Sequence, residues 1–255
     1  MKHTPKKHLG QHFLTDQSVI EKIIRTIKIN PADELVEIGP GLGALTHHLA
    51  QKTSKLYAVE FDEDLIDELK RKYPALQLFH DNALKFDFYQ LKASHKLRVV
   101  GNLPYNISTP LLFHVLAFKD IVQDYYFMLQ KEVVDRMCAA PGNKQYGRLS
   151  IMVQYECKTE KCFDVPASAF YPPPQVASSV VKLIPYHESN RPYAAVERDK
   201  LNKVVQEAFS HRRKTIRNAL KTLLSQEALL KCGVQPTARP ETLSIEQFVS
   251  LAQSV

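Results

Sequence analysis

The chain predicts an α/β fold, a parallel sheet wound by helices on both faces, with a small all-helical domain at its C-terminal end. Short apolar runs alternate with amphipathic helical segments from Leu35 to Leu129, a rhythm that suits parallel strands joined by crossover helices. The first of these strands runs straight into Gly39, Gly41 and Gly43, where a doubly wound sheet places its ligand. From Leu201 onward the apolar spacing is helical, behind a polar stretch from His187 to Arg198 that reads as a linker. Two domains are therefore expected, residues 1–187 and residues 188–255.

The elements follow in order. Asp16 caps a helix whose apolar face is Val19, Ile20, Ile23, Ile24 and Ile27. Pro31 turns the chain into a strand over Leu35–Ile38. A helix from Leu45 to Lys52, a strand from Leu56 to Glu60 and a charged helix from Asp62 to Tyr73 come next. Leu76–Phe79 is a third strand ending at His80-Asp81, and Leu97–Val100 a fourth ending at Gly101-Asn102. Ser108-Thr109-Pro110 starts a helix, and Tyr125–Leu129 is a fifth strand. Asp164–Val176, with Pro166 and Pro172-Pro173-Pro174, is expected to be a loop. Ser179–Ile184 is a late strand, and three helical segments follow Leu201, the last opened by a Ser244…Gln247 capping box.

A chain of 255 residues, 44% apolar, can bury the core of one large domain and a small appendage. Lys and Arg total 34 against 27 acidic residues, a net charge of +7 with histidine neutral, which points to a polyanionic partner. Cys138, Cys157, Cys162 and Cys232 form no CxxC pair; they read as free thiols in a reducing compartment, and no metal is expected. The basic amino terminus lacks the apolar core of a secretory signal, and no run reaches transmembrane length. A cytoplasmic protein without a membrane partner is expected.

Glu37-Ile-Gly39-Pro-Gly41-Leu-Gly43 has G-x-G-x-G spacing rather than the G-x-G-x-x-G of a pyrophosphate site. Glu60 closes the second strand, where a carboxylate can accept both hydroxyls of a ribose. Asp81 closes the third, where it can meet the exocyclic amine of an adenine ring. An acid there favours an amine and repels phosphate, so S-adenosylmethionine is expected rather than a dinucleotide.

Asn102-Leu103-Pro104-Tyr105 closes the fourth strand beside that cofactor. The amine of adenine is a poor nucleophile because its lone pair is delocalised into the ring. The Asn102 side-chain carbonyl and the Pro104 backbone carbonyl can accept its two N–H groups, drawing nitrogen towards tetrahedral geometry. Tyr105 can stack on the extruded base. Phe170, on the stiff Phe170–Pro174 loop, offers a second ring.

These residues carry a resemblance. Gly10–Leu14, Glu37–Gly43, Gly101–Pro110, Phe127–Glu132, Tyr146–Ser150, Phe170–Val176 and Phe209–Asn218 are similar to the motifs of the ribosomal RNA adenine dimethyltransferases, in the branch acting on the small subunit. The resemblance implies a Rossmann-like S-adenosylmethionine-dependent methyltransferase domain with a small C-terminal all-helical domain. It implies transfer of two methyl groups to each of two adjacent adenosines near the 3′ end of small-subunit (16S) rRNA, within a precursor small ribosomal subunit; a monomer is expected. S-adenosylhomocysteine is then the product. It places His12, Leu14, Gly39, Gly41, Glu60, Asp81 and Asn102 around the cofactor. His12 stands where many relatives have Asn, and either side chain presents a nitrogen.

The densest positive run, Ser210 to Arg217, holds Arg212, Arg213 and Lys214. On one helix, Arg213, Arg217 and Lys221 fall at i, i+4 and i+8, a stripe suited to phosphates. Lys2, Lys6 and Lys7 form a second basic patch. Two other functions fit the same scaffold: an rRNA-binding assembly or transcription factor, and a large-subunit rRNA adenine methylase conferring macrolide resistance. Intact Asn-Leu-Pro-Tyr counts against the first, and Phe127–Glu132 with Tyr146–Ser150 against the second. A nicotinamide oxidoreductase is more distant.

Overall fold

A computed structural model describes residues 4–6, 9–91, 93–210 and 214–255. The expected RNA-binding residues Arg212 and Arg213, and Lys2 and Lys7 of the amino-terminal patch, lie outside the described residues. The elements are β1 (Phe13–Leu14), α1 (Gln17–Ile27), β2 (Glu34–Ile38), α2 (Thr46–Leu49), β3 (Leu56–Glu60), α3 (Glu63–Lys72), β4 (Gln77–His80), β5 (Leu97–Asn102), α4 (Ser108–Leu116) and β6 (Val122–Gln130). They continue with α5 (Lys131–Met137), α6 (Arg148–Glu156), β7 (Cys157–Val165), β8 (Phe170–Tyr171), β9 (Ser178–Pro185), α7 (Arg198–Phe209), α8 (Ile216–Leu220), α9 (Gln226–Lys231) and α10 (Ile245–Gln253).

Among the described residues the main sheet has seven strands in the order β4-β3-β2-β5-β6-β9-β7. The pairs from β4 across to β6 are parallel, and β9 runs antiparallel to β6. The chain moves outward from β2 through β3 to β4, then returns to lay β5 on the other side of β2. That reversal leaves a crevice beyond the carboxyl ends of β2 and β5.

The first helix forms for the expected reasons. Asp16 accepts the Ser18 and Val19 amides at 2.9 and 3.2 Å, and Val19, Ile20, Ile23, Ile24 and Ile27 are buried. Its end is tied to the sheet by Arg98. The Arg98 guanidinium donates to the Ile27 carbonyl at 2.6 Å, the Lys28 carbonyl at 3.3 Å and the Asp33 carboxylate at 2.6 Å. It also forks onto Asp124 at 2.8 and 2.9 Å. A register shift between Leu97 and Arg98 sets Arg98 opposite Asp124 on β6.

The chain divides into two compact units, Met1–Val134 with Glu160–Pro185, and Asp135–Thr159 with Tyr186–Val255. The Asp135–Thr159 segment, expected within the first domain, thus groups with the C-terminal helices. Most of α6 is buried, including Leu149, Ile151, Met152, Val153 and Tyr155, so it shows no amphipathic stripe. After Leu201 four helices rather than three stand among the described residues, because α8 and α9 are short and separate. The proline-rich segment is not all loop: Asp164–Val165 closes β7, and β8 pairs antiparallel with β1. Two-residue strands are too short to show alternation.

Arg98→Met leaves Asp33 and Asp124 without their cation, and Asp124 is buried. Urea titrations are expected to show a loss of about 3–5 kcal/mol, the cost of breaking a buried pair from one side. A loss within experimental error would remove Arg98 from the interactions that hold the first unit together.

Candidate active site

A cavity opens at the β2–β5 reversal, and its wall is assembled from several strand ends of the first unit. Gly39, beyond β2, has φ +67, its N–H donates to the Val59 carbonyl at 2.9 Å, and a Cβ would project into open space. The left-handed conformation and the free approach to the backbone both call for glycine. Glu60, at the end of β3, is buried; one oxygen accepts the Phe61 and Asp62 amides at 2.8 Å each, and the other accepts the Gly41 amide at 3.0 Å. Burial pushes the Glu60 carboxyl up, against the amides that favour its anion.

Glu37 also lines the cavity and is buried, with the Thr46 hydroxyl donating to it at 2.6 Å. Burial, opposed by Thr46 and reinforced by nearby Glu60, pushes its carboxyl from 4.5 to about 7. Among the described residues no Lys or Arg lines the cavity. A phosphate-bearing dinucleotide would find no counter-charge here, whereas a cationic ligand meets two carboxyl groups. This donor set fits S-adenosylmethionine.

Asn102, half-buried, donates from Nδ2 to the His12 carbonyl at 2.9 Å. A carbonyl only accepts, so this bond fixes which way the amide points. Oδ1 takes no hydrogen bond from the described residues. His12 Nδ1 lies 2.7 Å from the Pro172 carbonyl, so Nδ1 carries the proton. The His12 ring stacks on Tyr105, with centroids 5.5 Å apart and planes at 26°. The Tyr105 hydroxyl lies 2.5 Å from Ser178 Oγ, and burial pushes the phenol up. Pro104 lines the cavity, its carbonyl accepting the Ile107 amide at a long 3.3 Å.

The structure thus brings His12, Leu14, Gly39, Gly41, Glu60, Asn102, Pro104 and Tyr105 to one cavity. Asp81 is not in its wall: it is exposed, and its carboxylate accepts the next amide, that of Asn82, at 2.6 Å. Asn82, Ala83 and Leu84 line the cavity instead. Phe170 is also absent from the wall. It is 3% exposed and packed in the core beside α1, where β8 pairs it with Leu14. Its neighbour Tyr171 is 64% exposed. Sequence reasoning missed Phe61, which lines the cavity directly after Glu60.

The amino-terminal segment Leu9–His12 forms part of the wall. Gln11 Nε2 donates to Asp62 at 2.6 Å, and Lys6 Nζ reaches Asp62 and Asp64 at 2.5 and 2.7 Å. Lys6, expected in a basic patch, is therefore neutralised in place.

The expected helical stripe begins at Arg213, outside the described residues. Among the described residues, Thr215 is extended and α8 begins only at Ile216. Arg217 lies in α8, Lys221 follows its last residue, and Lys214 is exposed ahead of it.

The sequence profile of the ribosomal RNA adenine dimethylases matches residues 2–255. The chain belongs to that family. It is 51% identical to the ribosomal RNA small subunit methyltransferase A of Acinetobacter baylyi, across 99% of this chain and 93% of that protein. The crystal structure of a dimethyladenosine transferase from Plasmodium falciparum superposes with a TM-score of 0.81 at 28% identity, covering 94% of this chain and 96% of that one. The 23S rRNA methyltransferase ErmE shares the fold, with a TM-score of 0.73 at 22% identity and 95% and 98% coverage. The expectations of a Rossmann-like methyltransferase fold and of an enzyme that dimethylates adenine in small-subunit rRNA therefore hold.

Glu37 gives the site a pH signature. The folded protein holds this proton more tightly than the unfolded chain, so Glu37 subtracts stability as pH rises from about 4.5 to about 7. Between about pH 4 and pH 8, urea unfolding is expected to favour Glu37→Gln over the wild type by an increment on the order of 3 kcal/mol. Parallel stability–pH curves for the two proteins would show that Glu37 ionises normally in the fold.

Proposed function

We propose that the protein transfers methyl groups from S-adenosylmethionine to N6 of two adjacent adenosines near the 3′ end of small-subunit rRNA. On this reading it acts as a monomer in the cytoplasm, on a precursor small ribosomal subunit. The observation that carries the reading is Asn102: its amide is held by the His12 carbonyl, with Oδ1 left unpaired in a cavity lined by acids and no described cation.

When bound, the cofactor supplies an electrophilic methyl group on a cationic sulfur. Gly39 lets it approach the backbone, and Glu60, already clamped by three amides, presents its remaining lone pairs to ribose hydroxyls. Asn102 Oδ1 and the Pro104 carbonyl accept the two N–H groups of the target amine and aim its lone pair. His12 covers one face of Tyr105, so the base stacks on the other. The proton leaves to water once N6 carries positive charge, and no strong base is needed. The exposed Lys214, Arg217 and Lys221, with Arg212 and Arg213, meet rRNA phosphates.

The decisive assay supplies labelled S-adenosylmethionine with small subunits from cells in which these adenosines are unmodified. Label is expected in two adjacent dimethyladenosines near the rRNA 3′ end and not in large subunits; label elsewhere, or none, would overturn the reading. Glu60→Ala is expected to weaken cofactor binding by about 1.5–3 kcal/mol in calorimetry, the scale of hydrogen bonds to a charged group. Unchanged affinity would exclude Glu60 from the ribose site. Asn102→Ala is expected to slow single-turnover transfer at least about a hundredfold at saturating cofactor, with rRNA affinity nearly unchanged. A near-normal rate would remove Asn102 from the chemistry.

A further inference from the structure

A second concave site lies in the first unit, and none of its residues lines the cofactor cavity. Lys22, Arg25 and Lys28 stand along its α1 side, Lys182 of β9 and Tyr126 of β6 are in its lining, and Glu160 of β7 is the sole acid there among the described residues. Four cations against one carboxylate is the reverse of the cofactor cavity.

Three of these cations are held in place without an ion pair among the described residues, and the fourth, Arg25, has an exposed partner. Lys182 lies opposite Tyr126 in the β6–β9 register, with Nζ 5.5 Å from the ring centroid. Lys22 Nζ sits 4.1 Å over the Phe163 ring. Lys28 takes a left-handed conformation, φ 53, at the end of α1, where Arg98 binds its carbonyl. Among the described residues no carboxylate comes within ion-pair distance of Lys22, Lys28 or Lys182, and the partner of Arg25 is exposed Glu21 at 3.6 Å. Nearby Lys161, by contrast, is paired with Asp164 at 2.7 Å.

Like charges gathered in a concavity repel one another unless an anion answers them. The side chains offered are ammonium and guanidinium groups. The one aromatic in the lining, Tyr126, is 3% exposed, so it offers no face to a base. Phosphates fit such a surface; bases do not. Two residues beyond Tyr126, Met128 of the same strand accepts the Leu103 amide at 3.1 Å, so β6 joins this cleft to the Asn-Leu-Pro-Tyr loop. We infer that the cleft is a second RNA contact, which binds backbone phosphates of the substrate rRNA. This rests on the rRNA substrate of the proposed function.

The test measures binding of unmodified small subunits, and of protein-free rRNA from them, across a series of KCl concentrations. Lys22→Gln/Arg25→Gln removes two exposed charges with no buried partner, so the fold is not at issue; a melting curve checks it. The log–log salt slope is expected to fall by about 1.5, and by about 2–2.5 when Lys182→Gln is added, following roughly 0.7–0.9 per phosphate neutralised. Glu160→Gln is expected to tighten binding. Single-turnover methyl transfer at saturating subunits should match the wild type in every variant. An unchanged slope in the double variant would overturn the inference. So would a loss confined to intact subunits, which would assign the cleft to an acidic protein of the particle. Stabilisation of the wild type by inorganic phosphate, with no change in the rRNA slopes, would assign it to free phosphate and likewise overturn it. Failure of the wild type to methylate rRNA would instead sink the proposed function, whatever the slopes.

Discussion

At Gly101 the β2–β5 pairing leaves no room for a side chain. A Cβ there would lie 2.8 Å from the Leu103 side chain and 2.9 Å from the Ile38 carbonyl oxygen, so β5 can lie in register beside β2 only with glycine at this position. The Ile38↔Gly101 pairing in turn brings Gly39 and Asn102 out at the same level. Both residues line the cavity, Gly39 with an open backbone and Asn102 with an amide oriented by the His12 carbonyl. The order reversal supplies a crevice in principle; the close approach at Gly101 sets what stands on its two lips.

The electrostatics of the first unit divide by location. The cofactor cavity collects Glu37 and Glu60 with no described cation in its wall, while cations line the separate cleft beside α1. Within a chain of net charge +7, the described wall of this cavity therefore holds carboxyl groups and no Lys or Arg. Arg98 is the buried exception, and it is matched by Asp33 and Asp124. On the proposed reading, charge separation of this kind lets one unit attract a polyanion and still hold a cationic cofactor.

Much of this was legible in the sequence, because parallel strands buried on both faces leave unbroken apolar runs and their ends carry the chemistry. Glu60, Gly39 and Asn102 could be placed by counting along such runs. Asp81 could not: β4 has no fully buried residue, and the turn beyond it puts Asn82 rather than Asp81 in the cavity wall. Phe170 misled for a different cause. A phenylalanine in a proline-rich segment looks available, yet β8 pairs with β1 and drives the ring into the core. The basic stripe assumed one continuous helix, and the extended Thr215 breaks it. No local pattern announces a pairing between residues 13 and 171, since each strand is only two residues long.

That same pairing has a practical side. The stretch from Leu9 to Leu14 supplies cavity wall, ring stacking on Tyr105 and the carbonyl that orients Asn102. It is fastened at one end by Asp62 and at the other by β8. The amino-terminal stretch is thus a working part of the cavity rather than a dispensable leader. A shortened fragment beginning at α1 would lack this part of the wall, the ring stacked on Tyr105 and the carbonyl that orients Asn102.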